Sequence, residues 1–274
     1  MTAEVEPLSA LLTLEPVDTD VFEGITHGAG TGVVRIYGGF VAGQALVAAA
    51  STVPDGRAAH SLHCSFLRSG RPGVPVRYSI SRDRDGQAFS TRLVTGRQGP
   101  NVIFEATVSF HVPEPGADWT ATPMPEVPAP DDVVPVDTVL TTLPTLSVFE
   151  QRLLPDLTAN PGPIDPGHPV WVRAIGGVPD VPGAARALLA AVSDLGAVRG
   201  AMRPGFDAPY GTFTGASLDH GAWFHRDPDP DGWLLVAMEP LSNHAGRGLG
   251  IGRAWNADGT HVATWVQEAL LRVH

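Results

Sequence analysis

The chain has 274 residues, 43% of them hydrophobic and 17% charged, a composition that fits a folded globular protein and excludes a disordered one. No apolar run reaches the ~20 residues that a membrane-spanning helix needs, and the first residues lack the basic stretch of a signal peptide. The net charge of −11 argues against nucleic acid and membrane as partners, because both attract basic surfaces.

The chain contains one cysteine, Cys64. A single cysteine excludes an intrachain disulfide and a zinc site built from cysteines. Cys64 lies in the apolar-rich run HSLHCSFL, which predicts a small buried side chain rather than a nucleophile. A chain that needs no disulfide fits a reducing compartment, so we expect a cytoplasmic protein.

The first half of the chain predicts one buried helix with a sheet curled around it. Residues Phe40–Val53 form a helical segment whose only strongly polar side chain is Gln44, and a Pro-Asp-Gly turn ends it. A helix that is apolar on every side must be surrounded by protein. Four segments rich in β-branched and aromatic residues then predict an antiparallel meander at 60–68, 74–82, 88–97 and 102–112. We assign residues 1–112 to an N-terminal domain.

A proline-rich segment, residues 113–137, separates the two halves. Its seven prolines exclude both a helix interior and a central strand, so the segment is interpreted as an extended linker. A short helix is expected near Val139–Leu154. Residues 138–274 are assigned to a C-terminal domain.

The second half repeats the plan of the first. A strand is predicted at Val170–Ile175 and a helix at Gly183–Arg199, again apolar on nearly all sides. Four strands follow at 215–226, 232–242, 247–256 and 261–272. His63 and His220 occupy similar positions in the two halves, 157 residues apart, and Phe110 and Gln267 share that offset. This common offset indicates a duplication.

Asp194 interrupts the second apolar helix. Aspartate is rarely buried without a partner, so this residue is either a functional carboxylate or a solvent-facing one near the helix end, where Gly196 loosens the turn. Gln267 in the last strand poses a similar choice, since a buried glutamine needs hydrogen-bond partners and an exposed one does not.

The run GASLDHGAWFHR brings Ser217, Asp219 and His220 close together in sequence. A nucleophile elbow needs G-x-S-x-G, and the second glycine is missing. In a regular strand, Ser217 and Asp219 share one face while His220 points to the other, so Ser217 and His220 are not expected to pair. His220 is therefore predicted to be a core or hydrogen-bonded histidine.

No metal site is expected. The histidines are scattered, and the closest pair, His60 and His63, points to opposite faces of a strand. The glycine pair Gly38 and Gly39 precedes the first helix, where free N–H groups can hold an anion or a developing oxyanion. A tight strand-to-helix turn would explain the same two glycines.

These segments together resemble the acyl-CoA thioesterase II (TesB-like) family over nearly the whole chain. The resemblance is carried by YGGFVAGQAL, HSLHCSFLRSGRP, RDGQAFSTRLV, SDLGAV, SLDHGAWFHR and VQEALLR. It implies an α+β protein made of two tandem hotdog folds, each a long helix wrapped by an antiparallel sheet. The family has a hydrolytic site of Asp, Thr and Gln without a metal or a covalent intermediate. Asp194 and Gln267 match two of these residues, and Ser217 stands where the family has Thr.

The resemblance implies a thioester hydrolase that converts acyl-CoA to free fatty acid and coenzyme A without a cofactor. Asp194 would act as general base, and Ser217 and Gln267 would orient a water. Backbone groups of Gly39 and Phe40 are expected to bind the substrate oxyanion, although the family commonly has Gln where Phe40 stands. A homo-oligomer is expected because hotdog sheets often pair at their edges.

Two alternatives remain open at this point. The Ser217 and Phe40 differences are compatible with a non-catalytic acyl-CoA binding protein on the same scaffold. A hotdog-type enoyl-CoA hydratase is disfavoured, because the chain shows no Asp-x-x-x-x-His element like that family's.

Overall fold

The computed structural model describes residues 7–26, 35–133, 148–154, 169–206 and 213–274. Its helices are α1 (Leu8–Leu11), α2 (Gly38–Ala50), α3 (Ala184–Ser193) and α4 (Ala197–Gly200). Its strands are β1 (Glu15–Asp18), β2 (Val21–Gly24), β3 (Ala58–Phe66), β4 (Val76–Asp85), β5 (Phe89–Gln98), β6 (Asn101–His111), β7 (Phe149–Leu153), β8 (Val170–Ala174), β9 (Phe213–Phe224), β10 (Leu234–His244), β11 (Arg247–Asn256) and β12 (His261–Val273).

These strands form one continuous antiparallel sheet, in the order β1-β2-β4-β5-β6-β3-β9-β12-β11-β10-β8-β7. The two halves of the chain are joined where β3 pairs with β9, with His63 opposite Gly221 and Cys64 opposite His220. With the 157-residue offset, His63 corresponds to His220 and Cys64 corresponds to Gly221. The two pairs are therefore equivalent, and a local two-fold axis passes between His63 and Cys64. The predicted fold class is confirmed, and its two sheets are continuous with each other.

The two long helices pack against each other on this sheet. A Cβ atom on Gly39 would collide with the carbonyl oxygen of Ala191, and one on Gly43 would lie 3.1 Å from that of Ala187. The two glycines, one turn apart on α2, therefore allow the backbones to approach closely. Residues 39–50 of α2 are all buried, as the apolar sequence predicted.

The helix ends differ from the predicted ones. The first helix covers Gly38–Ala50 instead of Phe40–Val53. The second ends at Ser193, so the continuous helix predicted for Gly183–Arg199 was wrong. Asp194 follows as the C-cap, and Gly196 takes a left-handed conformation with φ of 70° before the separate turn α4. This break turns the chain away from the axis of α3 immediately at Asp194.

The proline-rich segment runs without helix or strand from 112 to 129 and then forms a short 3₁₀-helix at Pro130–Asp132. It packs against the C-terminal part of the sheet, where Trp171 Nε1 donates to the Pro128 carbonyl at 2.9 Å. The helix expected near Val139–Leu154 was wrong for its described part, because Phe149–Leu153 is the strand β7. Residues 139–147 lie outside the described residues, and the domain boundaries at 112 and 138 stay predictions.

Cys64 has a buried, unpaired side chain, as predicted. Burial raises the pKa of its thiol well above the ordinary value of 9.0, with a smaller contribution from the charges of Asp194 and Asp219. A thiol held in its neutral form is a poor nucleophile. Within the described ranges, no helix is long and apolar enough to span a membrane.

Candidate active site

Asp194 occupies a buried position at the end of α3, with 8% of its surface exposed. Burial raises the pKa of its carboxyl group from 3.8 to about 6. The neighbouring donor groups of Ser217, Gln267 and the Gly39 backbone act in the opposite direction and lower the pKa, since they stabilise the carboxylate. The solvent-facing interpretation of Asp194 was therefore wrong.

Ser217 and Gln267 lie beside this carboxylate, although they come from β9 and β12. The Ser217 hydroxyl donates to Asp194 Oδ1 at 2.9 Å. Gln267 Nε2 donates to Ser217 Oγ at 2.8 Å, and Gln267 is fully buried. The structure thus brings the three residues together in one hydrogen-bonded chain that ends on the carboxylate.

A bulge in β9 makes this arrangement possible. Gln267 pairs with His220 across the strands and Glu268 pairs with Asp219, but Ala269 pairs with Ser217. Leu218 is therefore an extra residue in β9, and the alternation of side chains changes there. Ser217 and His220 consequently both reach Gln267, so the expectation that they point to opposite faces was wrong.

His220 extends the hydrogen-bonded chain behind Gln267. Its Nδ1 lies 2.7 Å from Gln267 Oε1, and its Nε2 lies 2.9 Å from the hydroxyl oxygen of Ser193. Burial lowers the pKa of His220 to about 4, so the ring is neutral at pH 7. The prediction of a hydrogen-bonded histidine is confirmed. Its link to Gln267 and Ser193 was missed, because an apolar strand with one histidine does not indicate the partner.

The N-terminus of α2 closes the other side of the site. Gly38, Gly39 and Phe40 are the first residues of the helix, so their N–H groups have no acceptor within it. The Gly39 N–H acts to lower the pKa of the Asp194 carboxyl, as the positive end of a helix dipole favours. A Cβ on Gly38 would lie 2.7 Å from the Phe66 ring and 2.8 Å from Asp194 Oδ2, so a larger residue there would displace one of these side chains.

Two aromatic side chains fill the space next to this turn. The hydroxyl of Tyr37 donates to the Ala191 carbonyl at 2.7 Å, which fastens α2 to α3. The ring of Phe40 is buried, 5.0 Å from the Tyr37 ring centroid and 6.4 Å from that of Phe149. Phe40 therefore contributes packing through its side chain.

Histidines elsewhere on the sheet have other partners. His60 Nε2 lies 2.8 Å from Ser109 Oγ, and His63 packs edge-on against Trp223. In the part of the chain that the structure describes, no group of three or more His, Cys, Asp or Glu side chains could hold a metal ion.

Two long helices on an antiparallel sheet, repeated about a local two-fold axis, define a double-hotdog protein. The chain belongs to the acyl-CoA thioesterase family: the profile of the acyl-CoA thioesterase N-terminal domain matches residues 26–111, and that of the C-terminal domain matches residues 123–271. Members of this family are hydrolases that act on thioesters.

Similar proteins span nearly the whole length of the chain. Acyl-coenzyme A thioesterase 8 from Homo sapiens is 33% identical over 286 residues, covering 97% of this chain and 89% of the human protein. Acyl-CoA thioesterase 2 from Haemophilus influenzae is 35% identical and covers 96% of each chain. The crystal structure of acyl-CoA thioesterase II TesB2 from Mycobacterium marinum has a TM-score of 0.82 at 33% identity, covering 97% of this chain and 98% of that one.

Proposed function

We propose that this protein hydrolyses acyl-CoA thioesters to free fatty acid and coenzyme A, with a water activated by Asp194, Ser217 and Gln267. The observation that carries the proposal is the buried carboxylate of Asp194, held by the hydroxyl of Ser217 at 2.9 Å and by the first turn of α2. Membership of a thioesterase family supports the same chemistry.

Asp194 acts as the general base. Its pKa of about 6 leaves the carboxylate ionised at pH 7 to 8 but makes it a stronger base than an ordinary aspartate. The water oxygen attacks the thioester carbonyl carbon while Asp194 accepts the water's proton. Ser217 and Gln267 orient the carboxylate and the water by hydrogen bonds, so Ser217 supplies the hydroxyl that the family's threonine supplies.

The tetrahedral intermediate needs donors for its oxyanion. The free N–H groups of Gly39 and Phe40 in the first turn of α2 are assigned to it. When the intermediate collapses, the carbon–sulfur bond breaks and coenzyme A leaves as a thiolate. The proton taken from water then passes from Asp194 to the departing sulfur, so no metal or cofactor enters the balance.

Three arginines near the start of α2 are assigned to the phosphate groups of coenzyme A. Arg35, Arg68 and Arg71 are exposed, and their segments touch where the Ile36 N–H donates to the Gly70 carbonyl at 3.0 Å. A local basic cluster is needed because the net charge of −11 repels a polyanionic ligand.

We also propose that the chain forms a homo-oligomer through an edge of its sheet. Pro16 and the acidic residues of the edge strand β1 disfavour pairing with a strand of another molecule. The other edge strand, β7, is therefore the better candidate. Light scattering coupled to size-exclusion chromatography tests this, and a monomer at every concentration would contradict it. A cytoplasmic location stays a prediction.

The decisive experiment follows thiol release from short, medium and long acyl-CoAs by the purified protein. The wild type is expected to turn over at least one of them, and Asp194→Asn is expected to lose ~10²- to 10⁴-fold in kcat while it still binds acyl-CoA. Full turnover by Asp194→Asn would reject Asp194 as the base. Binding without turnover by the wild type would instead identify an acyl-CoA binding protein.

A further inference from the structure

His220 and Ser193 lie outside the three residues assigned to catalysis, yet both are buried and bonded to that site. His220 is 1% exposed and Ser193 is also 1% exposed. A buried polar side chain is stable only when its donors and acceptors are matched, so the hydrogens in this part of the structure can be counted.

The hydrogen positions can be assigned starting from the side-chain amide of Gln267. Its Nε2 donates to Ser217 Oγ at 2.8 Å, which places its Oε1 against His220 Nδ1 at 2.7 Å. An amide oxygen only accepts, so His220 Nδ1 must carry a proton. The reverse orientation of the amide would bring Oε1 to Ser217, whose only hydrogen already goes to Asp194.

His220 is neutral, because burial lowers its pKa to about 4, and therefore has a single N–H. With the proton on Nδ1, its Nε2 is an acceptor. The Ser193 hydroxyl lies 2.9 Å from this nitrogen and also donates to the Ala190 carbonyl at 2.9 Å, so its single hydrogen is shared between these two acceptors. From His220 onwards, every hydrogen then points the same way, through Gln267 and Ser217 to Asp194.

On this basis we infer that His220 is a positioning residue: its Nδ1–H holds the amide of Gln267 with the NH₂ group turned towards Ser217 and Asp194. The inference rests on the proposed hydrolytic function. This chain of hydrogen bonds starts at Ser193 and ends at Asp194, which are adjacent in sequence. The end of α3 therefore fixes both of its terminal residues.

This restraint on the Gln267 amide is needed because the protonation state of Asp194 changes during the reaction. An ionised Asp194 itself attracts the NH₂ group of Gln267. After it accepts a proton from water, Asp194 offers a hydrogen that the Gln267 oxygen can take, and the amide is free to reverse. His220 holds the oxygen on the far side throughout. A displacement of about 1 Å at such a site lowers the rate by ~10²-fold.

Two variants of His220 separate positioning from packing. Asparagine can place an N–H where Nδ1 lies, whereas leucine has a similar size and no donor. We expect His220→Leu to lower kcat ~10²-fold with KM nearly unchanged, and His220→Asn to recover most of that loss. His63→Leu, at the repeat-related position against Trp223, is the matched control and should keep wild-type kinetics.

The pH profile of kcat/KM adds a measurement that a merely structural role would not change. Losing the orienting NH₂ group weakens the carboxylate form of Asp194, so the acidic limb in His220→Leu should move upwards by roughly half to one pH unit. Burial keeps the neighbouring Tyr37 and Cys64 protonated in this range, and the control variant His63→Leu removes the other ionisable ring that acts on His220. An unmoved limb would contradict the inference.

The tautomer can be read directly by ¹⁵N NMR of the histidine rings in the wild-type protein. A protonated Nδ1 on neutral His220 is expected, and protonation at Nε2 would overturn the inference even if the variants fail to fold. Gln267→Leu separates a failure of the His220 inference from a failure of the proposed hydrolytic function. If it loses activity while His220→Leu keeps wild-type kcat, positioning by His220 is wrong; if wild type has no turnover, the proposed function itself fails.

Discussion

Replacing Asp194 with asparagine should change the pH dependence of stability as well as activity. Burial raises the pKa of this carboxyl from 3.8 to about 6 in the folded protein, whereas the unfolded chain keeps the ordinary value. The folded state therefore binds more protons between pH 4 and 6, and its stability falls as pH rises through that window. Asparagine does not titrate, so the stability of Asp194→Asn does not fall in this way as the pH rises.

The magnitude follows from the two pKa values. Each tenfold difference in proton affinity is worth about 1.4 kcal/mol, so the ionised carboxylate destabilises the fold by about 3 kcal/mol at pH 8. The same relation gives about 1.6 kcal/mol at pH 5 and about 0.6 kcal/mol at pH 4. Asparagine also brings an NH₂ group next to donors that face the carboxylate, such as the Ser217 hydroxyl, but that penalty of ~1 to 3 kcal/mol does not vary with pH.

Urea unfolding of both proteins between pH 4 and 8 tests this prediction. The stability of Asp194→Asn relative to wild type should increase by about 2.4 kcal/mol over that range, which corresponds to roughly 5 to 10 °C in Tm. Equal m-values are required for the comparison. A difference that stays constant from pH 4 to 8 would show that the folded Asp194 carboxyl is not desolvated, and the argument for its strength as a base would fail.

Four further outcomes are expected. Wild-type kcat/KM should fall below about pH 6 as Asp194 becomes protonated, and a profile flat to pH 5 would exclude this base. Gly38→Ala should lower kcat ~10²-fold, because its methyl would lie 2.8 Å from Asp194 Oδ2, whereas Gly116→Ala meets no atom within 4 Å and should be neutral. Ser217→Thr should hold activity and Ser217→Ala should lower it; the opposite order would reject an orienting hydroxyl. Arg68→Ala should raise KM for acyl-CoA at unchanged kcat, and an unaltered KM would remove Arg68 from the phosphate site.

The sequence by itself was sufficient for the main elements of the fold. A helix that is apolar on all sides, such as the segment around Gln44, has no stable position except inside a protein, and runs of β-branched residues between turns have few alternatives to strands. The 157-residue offset between His63 and His220 indicated the duplication. Asp194 was noticeable for the same kind of reason, since a carboxylate in an apolar helix needs an explanation.

The tertiary structure decided how these residues meet. A bulge is a mismatch between two strands, so the sequence of β9 alone cannot reveal that Leu218 is unpaired and that Ser217 turns towards Gln267. The end of α3 at Ser193 depends on a left-handed glycine and on the donors that receive Asp194. The pKa values of Asp194 and His220 arise from burial by residues distant in the chain. Local patterns determine elements, but pairing register and desolvation are properties of several elements together.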